Sequence, residues 1–115
     1  MAKVKVKKLT DWRQLNGTCL QGGIDCDYDT LVAVFGPPEG SYDDYKSDCA
    51  WDLVINGVVV TIYNYKDGKN YCGRSGLNKT QIRDWHIGGN SKIAVARVQE
   101  VLEEYAYGKR MGQYA

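Results

Sequence analysis

Gly88-Gly89-Asn90-Ser91-Lys92 is a stretch of the kind that holds a phosphate. Backbone amides at the start of a helix attract anions, and glycines just ahead of them let the ligand approach closely. The segment that follows carries its charges against a helix dipole, with Lys92 early and Glu100, Glu103 and Glu104 late. Each such charge costs about 0.3–1 kcal/mol when exposed, and an anion beside Lys92 would offset it. The competing account is a glycine bend followed by an ordinary Asn or Ser cap.

A second stretch interleaves Lys66, Lys69 and Arg74 with Tyr63, Tyr65 and Tyr71. Aromatic faces stack on bases while cations hold phosphates, which is how a nucleotide or a single strand is gripped. The same residue types also anchor protein interfaces, or lie on a sheet as part of a solvated loop. Trp85 and His86 follow further on. His86 is the single histidine, and Asp84 lies two residues away on the same strand face, placed to orient an imidazole base. No serine or cysteine is identifiable as its nucleophile, so a structural or ligand-contacting histidine is the favoured reading. The candidate ligand-binding set is therefore Tyr65, Lys66, Lys69, Tyr71, Arg74, Trp85, His86, Gly88, Gly89 and Lys92, with no catalytic residue assigned.

Asp43, Asp44 and Asp48 match no calcium-loop spacing and read as an acidic turn or a patch for a basic partner. Cys19, Cys26, Cys49 and Cys72 form no CxxC pair, so neither a zinc knuckle nor a redox motif is read, and free thiols are expected. No cofactor is implied.

The elements that must position these residues follow from pattern. Val4 to Lys7 alternates as a short strand or basic arm within residues 1–16. Thr18 to Ile24 reads as a strand with a glycine irregularity, and Asp27 offers an N-cap to a helix over Tyr28–Phe35 that Gly36-Pro37-Pro38 stops. Asn56-Gly57 suits a type I′ turn and sets a register in which Ile55 faces Val58, Leu53 faces Val60 and Trp51 faces Ile62 on the core side. The stretch from Tyr63 to Gly76 is a long loop or a second hairpin turning at Asp67-Gly68. Thr80–Ile87 reads as a last strand ended by Gly88-Gly89. A final helix places Ala94, Val98, Val101, Leu102 and Tyr105 on one stripe, and Gly108 opens a flexible tail. The expectation is a single α+β domain over residues 1–115, in the order β-α-β-β-β-α. A small antiparallel sheet of about four strands would be covered by two helices on one face, leaving the other face open.

The 115 residues suffice for one core. Net charge is +1, unevenly spread. Residues 1–24 carry five cations against one acid (+4), residues 25–52 one cation against eight acids (−7), and the remainder nine against five (+4). That excludes a uniformly acidic DNA mimic and a uniformly basic nucleic-acid coat. No stretch approaches the roughly 20 apolar residues that span a bilayer, so no membrane partner is expected. A homodimer or higher homo-oligomer through an exposed sheet edge is compatible with the pattern.

At Gly17-Thr18-Cys19-Leu20-Gln21-Gly22, Tyr28 to Pro38, Val60 to Lys66 and Asp84-Trp85-His86-Ile87-Gly88-Gly89, the chain resembles a set of short proteins encoded by tailed bacteriophages. The likeness spans roughly residues 17–100, and the DWHIGG string is its most specific part. It transfers no catalytic residue. The resemblance implies a viral protein acting in a bacterial host cytoplasm, of the accessory kind that disables host defence. Three modes are expected: non-catalytic inhibition of a host defence protein, sequestration of a cyclic-nucleotide or ADP-ribose-type second messenger, and phosphodiester cleavage using His86. The first leads.

Overall fold

The computed structural model describes residues 4–15, 17–38, 49–65 and 67–110. Lys66, the acidic turn with Asp43, Asp44 and Asp48, and the chain after Arg110 lie outside the described residues. Among these residues eight strands and α-helices follow in order: β1 (Val6–Lys8), β2 (Cys19–Asp25), α1 (Tyr28–Phe35), β3 (Ala50–Ile55), β4 (Val58–Tyr63), a one-turn α2 (Lys69–Cys72), β5 (Asp84–Gly89) and α3 (Ile93–Arg110). The fold is α+β, with one antiparallel sheet of five strands in the order β1-β3-β4-β5-β2.

The β3–β4 hairpin has the register that its turn dictates, with Trp51 opposite Ile62, Leu53 opposite Val60 and Ile55 opposite Val58. Asn56 and Gly57 sit at φ +48° and +79°, the two left-handed positions of the turn. Because side chains alternate across a strand, this register sends Trp51, Leu53, Ile55, Val60 and Ile62 to one side, where all are buried. Trp85 and Ile87 join them from β5. Leu31 and Phe35 of α1, and Ala94, Val98 and Val101 of α3, complete the same cluster, so both long helices cover one face of the sheet.

Two tryptophans tie α1 to that sheet. Trp51 and Trp85 meet edge to face at 5.3 Å. The Trp51 indole donates to the carbonyl of Gly36 at the end of α1, and the Trp85 indole donates to that of Cys26 just before its start, each at 2.8 Å. Each buried N–H thereby finds an acceptor at a helix end, where backbone groups lack helical partners. Asp27 caps α1 as expected, accepting from the Thr30 amide at 3.1 Å and the Thr30 hydroxyl at 2.7 Å.

Several boundaries differ from the sequence reading. Val6–Lys8 near the N-terminus form a strand, which makes the sheet five-stranded. Residues 79–81 form a 3-10 turn, closed by the Gln81 side chain accepting from the Asn78 amide at 2.9 Å. The last strand therefore starts at Asp84 and runs through Gly88 and Gly89 instead of ending before them. Helix α3 continues past Gly108, which is buried, to Arg110; tertiary packing outweighs the roughly 1 kcal/mol penalty of a helical glycine. Among the described residues no helix is long and apolar enough to cross a membrane.

Candidate binding surface

The sheet face away from the helices carries the alternate side chains of the same strands. On β4 and β5 these are Thr61, Tyr63, Asp84, His86 and the bare backbone of Gly88, with Tyr63 directly opposite His86 and Thr61 opposite Gly88. Beyond β4 the chain is pinned by Asn64, which is fully buried. Its side chain accepts from the Cys49 amide at 3.1 Å and donates to Asp67 at 3.0 Å. With Asn64 held inward, Tyr65 emerges over the strand ends and lies on His86, ring centroids 5.5 Å apart and planes 29° apart. Tyr63 meets His86 edge-on at 5.6 Å and 76°. The result is a three-ring cluster at one end of the face away from both long helices, with Tyr65 40% exposed. Burial, then the neighbouring Tyr65 phenol and Cys19 thiol, push the Tyr63 hydroxyl above its ordinary pKa, so it remains a neutral donor.

The phosphate set does not converge. A Cβ on Gly88 would sit 2.5 Å from the Thr61 hydroxyl and 3.5 Å from the Tyr63 ring, and one on Gly89 would sit 2.8 Å from Ala94 Cβ and 2.9 Å from the Val59 carbonyl. These glycines are required by close packing inside the sheet, not by an approaching anion. Ser91 caps α3 through its hydroxyl, which accepts from the Ile93 amide at 3.3 Å. Two of the three acids late in α3 have local partners: Glu100 takes Arg97 Nη1 at 2.6 and 2.7 Å, and Glu104 accepts from the Val4 amide at 3.2 Å. The placement of those two needs no ligand to balance it. Trp85 is fully buried and hydrogen-bonded in the core, so it presents no face to a base.

Lys69, Tyr71 and Arg74 are exposed on the excursion between β4 and β5, where the Lys69 ammonium donates to the Arg74 carbonyl at 3.5 Å. That excursion is not a hairpin. It is closed at its base by a parallel bridge between Gly68 and Leu77, with Gly76 pressed on the Gly68 carbonyl. It leaves the sheet at the Tyr63 and Asp84 end, whereas Lys92 follows Gly89 at the other end of β5. Strand β5 rises about 17 Å between its ends, too far for one phosphate to touch both groups.

Of the proposed set, then, the structure brings together Tyr65 and His86. It adds Tyr63, whose position on the non-core side of the hairpin register already pointed to that face. Leu20, 57% exposed on β2 opposite Gly88, is a further member that the pattern did not single out. Asp84 pairs in register with Asp25, and no hydrogen bond joins it to His86 among the described residues. Comparison with protein-family models and with curated proteins finds no match for the chain.

Proposed function

We propose that this is a phage-encoded anti-defence protein that acts by non-catalytic binding, using the uncovered sheet face to block a host immune component in the host cytoplasm. The observation that carries the binding mode is the Tyr63–His86–Tyr65 cluster on a face that neither long helix covers. Tyrosines held by neighbours lose little entropy on docking and are frequent anchors of protein interfaces. The surroundings of His86 favour contact over chemistry, since rings flank it in place of an orienting carboxylate. The phage setting comes from the sequence resemblance.

Affinity capture from a lysate of the bacterial host, followed by calorimetry with the isolated partner, tests the reading. Tyr65→Ala and His86→Ala are each expected to weaken binding about tenfold or more, while Lys92→Ala leaves it unchanged. Equal affinity across all three variants sinks the open-face reading.

A signal-sequestering mode keeps one support, the exposed Lys69, Tyr71 and Arg74 on a single excursion. Calorimetry against cyclic dinucleotides and cyclic ADP-ribose isomers decides it. Heat that disappears in Arg74→Ala, with the ligand recovered intact, would favour that mode over protein binding.

A further inference from the structure

We propose that the outer edge of β2, with the groove between it and α3, accepts an extended cationic segment of a partner protein as a sixth strand of the sheet. Among the described residues strand β2 is an edge strand, paired with β5 on one side alone. It is also the longer of the two edges, seven residues against three in β1. Cys19, Leu20, Gly23 and Asp25 are exposed along it. Edge strands are usually protected by lysine, proline, an inward charge or a bulge. Here a register shift interrupts the pairing between Leu20 and Gly22, but Gly22 to Asp25 then runs in regular register with β5. That run is free of lysine and proline, and Gly23 within it is exposed, whereas Gly22 lies under Val95 of α3.

The side chains beside this edge define the occupant. A shallow groove of about 460 Å³ is lined by Gly23, Ile24 and Asp25 from β2 and Gln99, Leu102 and Glu103 from α3. Ile24 and Leu102 supply apolar contact and Glu103 supplies negative charge, while Asp25 lines the end of the groove but shares the opposite face with its register partner Asp84. Arg83 meets Asp25 at 3.0 Å, whereas Glu103 has no cationic partner among the described residues. A strand laid against β2 would pair with its outward amides and carbonyls while a lysine or arginine reached Glu103. A second copy fits less well. It would bring each groove's carboxylates toward the other's, and a seven-residue edge offers less than the roughly 1,200 Å² of a stable interface. The groove lies on the helix side of the sheet, so this inference does not depend on the open-face reading.

Isotope-labelled full-length chain titrated with a short peptide alternating threonine and valine around a central lysine tests it by amide NMR. The resonances of Cys19–Asp25 are expected to shift, with affinity falling about tenfold, equivalent to about 1.4 kcal/mol, when the peptide carries glutamate in place of lysine. Methylating alternate peptide nitrogens should abolish the shifts. Glu103→Lys, an exposed helix position that leaves the core untouched, should reverse the preference. Silence of the β2 amides, equal affinity for lysine and glutamate peptides, or tolerance of N-methylation overturns the proposal. So does broadening of the β2 signals with protein concentration alone, which would assign the edge to a second copy. Shifts confined to Tyr63, Tyr65 and His86 would also overturn it while leaving the open-face reading in place.

Discussion

Asp27 shows how one side chain joins sequence, stability and pH. Hydrogen bonds from the Thr30 hydroxyl and amide hold its carboxyl below the usual carboxylate range. Because the folded-state pKa is the lower one, its stabilisation is complete above the unfolded value of about 3.9 and fades as pH falls through the folded value. Asp27→Ala should destabilise by about 1 kcal/mol at neutral pH in denaturant melts. Asp27→Asn should keep most of the cap and show a flatter loss of stability below about pH 4. The thiols offer a second residue-scale check. Burial, then the Asp27 charge, raises the Cys26 pKa, and Cys49 is 2% exposed, whereas Cys19 is on the surface. Alkylation at neutral pH followed by mass spectrometry should label Cys19 well before Cys26 or Cys49, because a thiol must be both accessible and ionised to react.

Among the elements, the β3–β4 hairpin was fully legible and the β5 region was not. A two-residue Asn-Gly turn flanked by alternating apolar residues determines its own register through short-range sterics. Gly57→Val should therefore cost about 1–2 kcal/mol by forcing a β-branched residue to positive φ, read as a lower denaturation midpoint with an unchanged slope. Gly88 and Gly89 looked like a strand terminator because glycine usually punctuates local structure. Their real constraint is spatial: the Thr61 and Tyr63 side chains fill one site and Ala94 with the Val59 carbonyl the other. Gly88→Ala should accordingly lower thermal stability although the strand geometry itself tolerates alanine. The tryptophan pair belongs at this scale too. Trp51→Phe leaves the Gly36 carbonyl without its indole donor and should destabilise by about 1–3 kcal/mol, with the loss seen in equilibrium melts.

For the whole molecule, two layers leave a division of labour. The helix side of the sheet is the core, and the other side, apart from the tightly packed Gly88, is where substitution should spare the fold. A Tyr65→Ala, His86→Ala double variant is expected to melt within a few degrees of the parent while losing partner binding, since these rings lie outside the buried cluster. What the sequence determined by itself was everything set over a few residues: the α+β class, the cap and stop of α1, the hairpin register, the apolar stripe of α3 and the placing of both long helices on one face of the sheet. The tertiary structure decided which candidate residues meet. It buried Trp85, spent Gly88 and Gly89 on packing, set Lys92 and the loop cations at opposite ends of β5, and brought Tyr65 onto His86 beside the buried Asn64. Local patterning specifies the direction of a side chain relative to its own backbone, but convergence of residues far apart in the chain depends on strand order and long-range packing, which no short window contains.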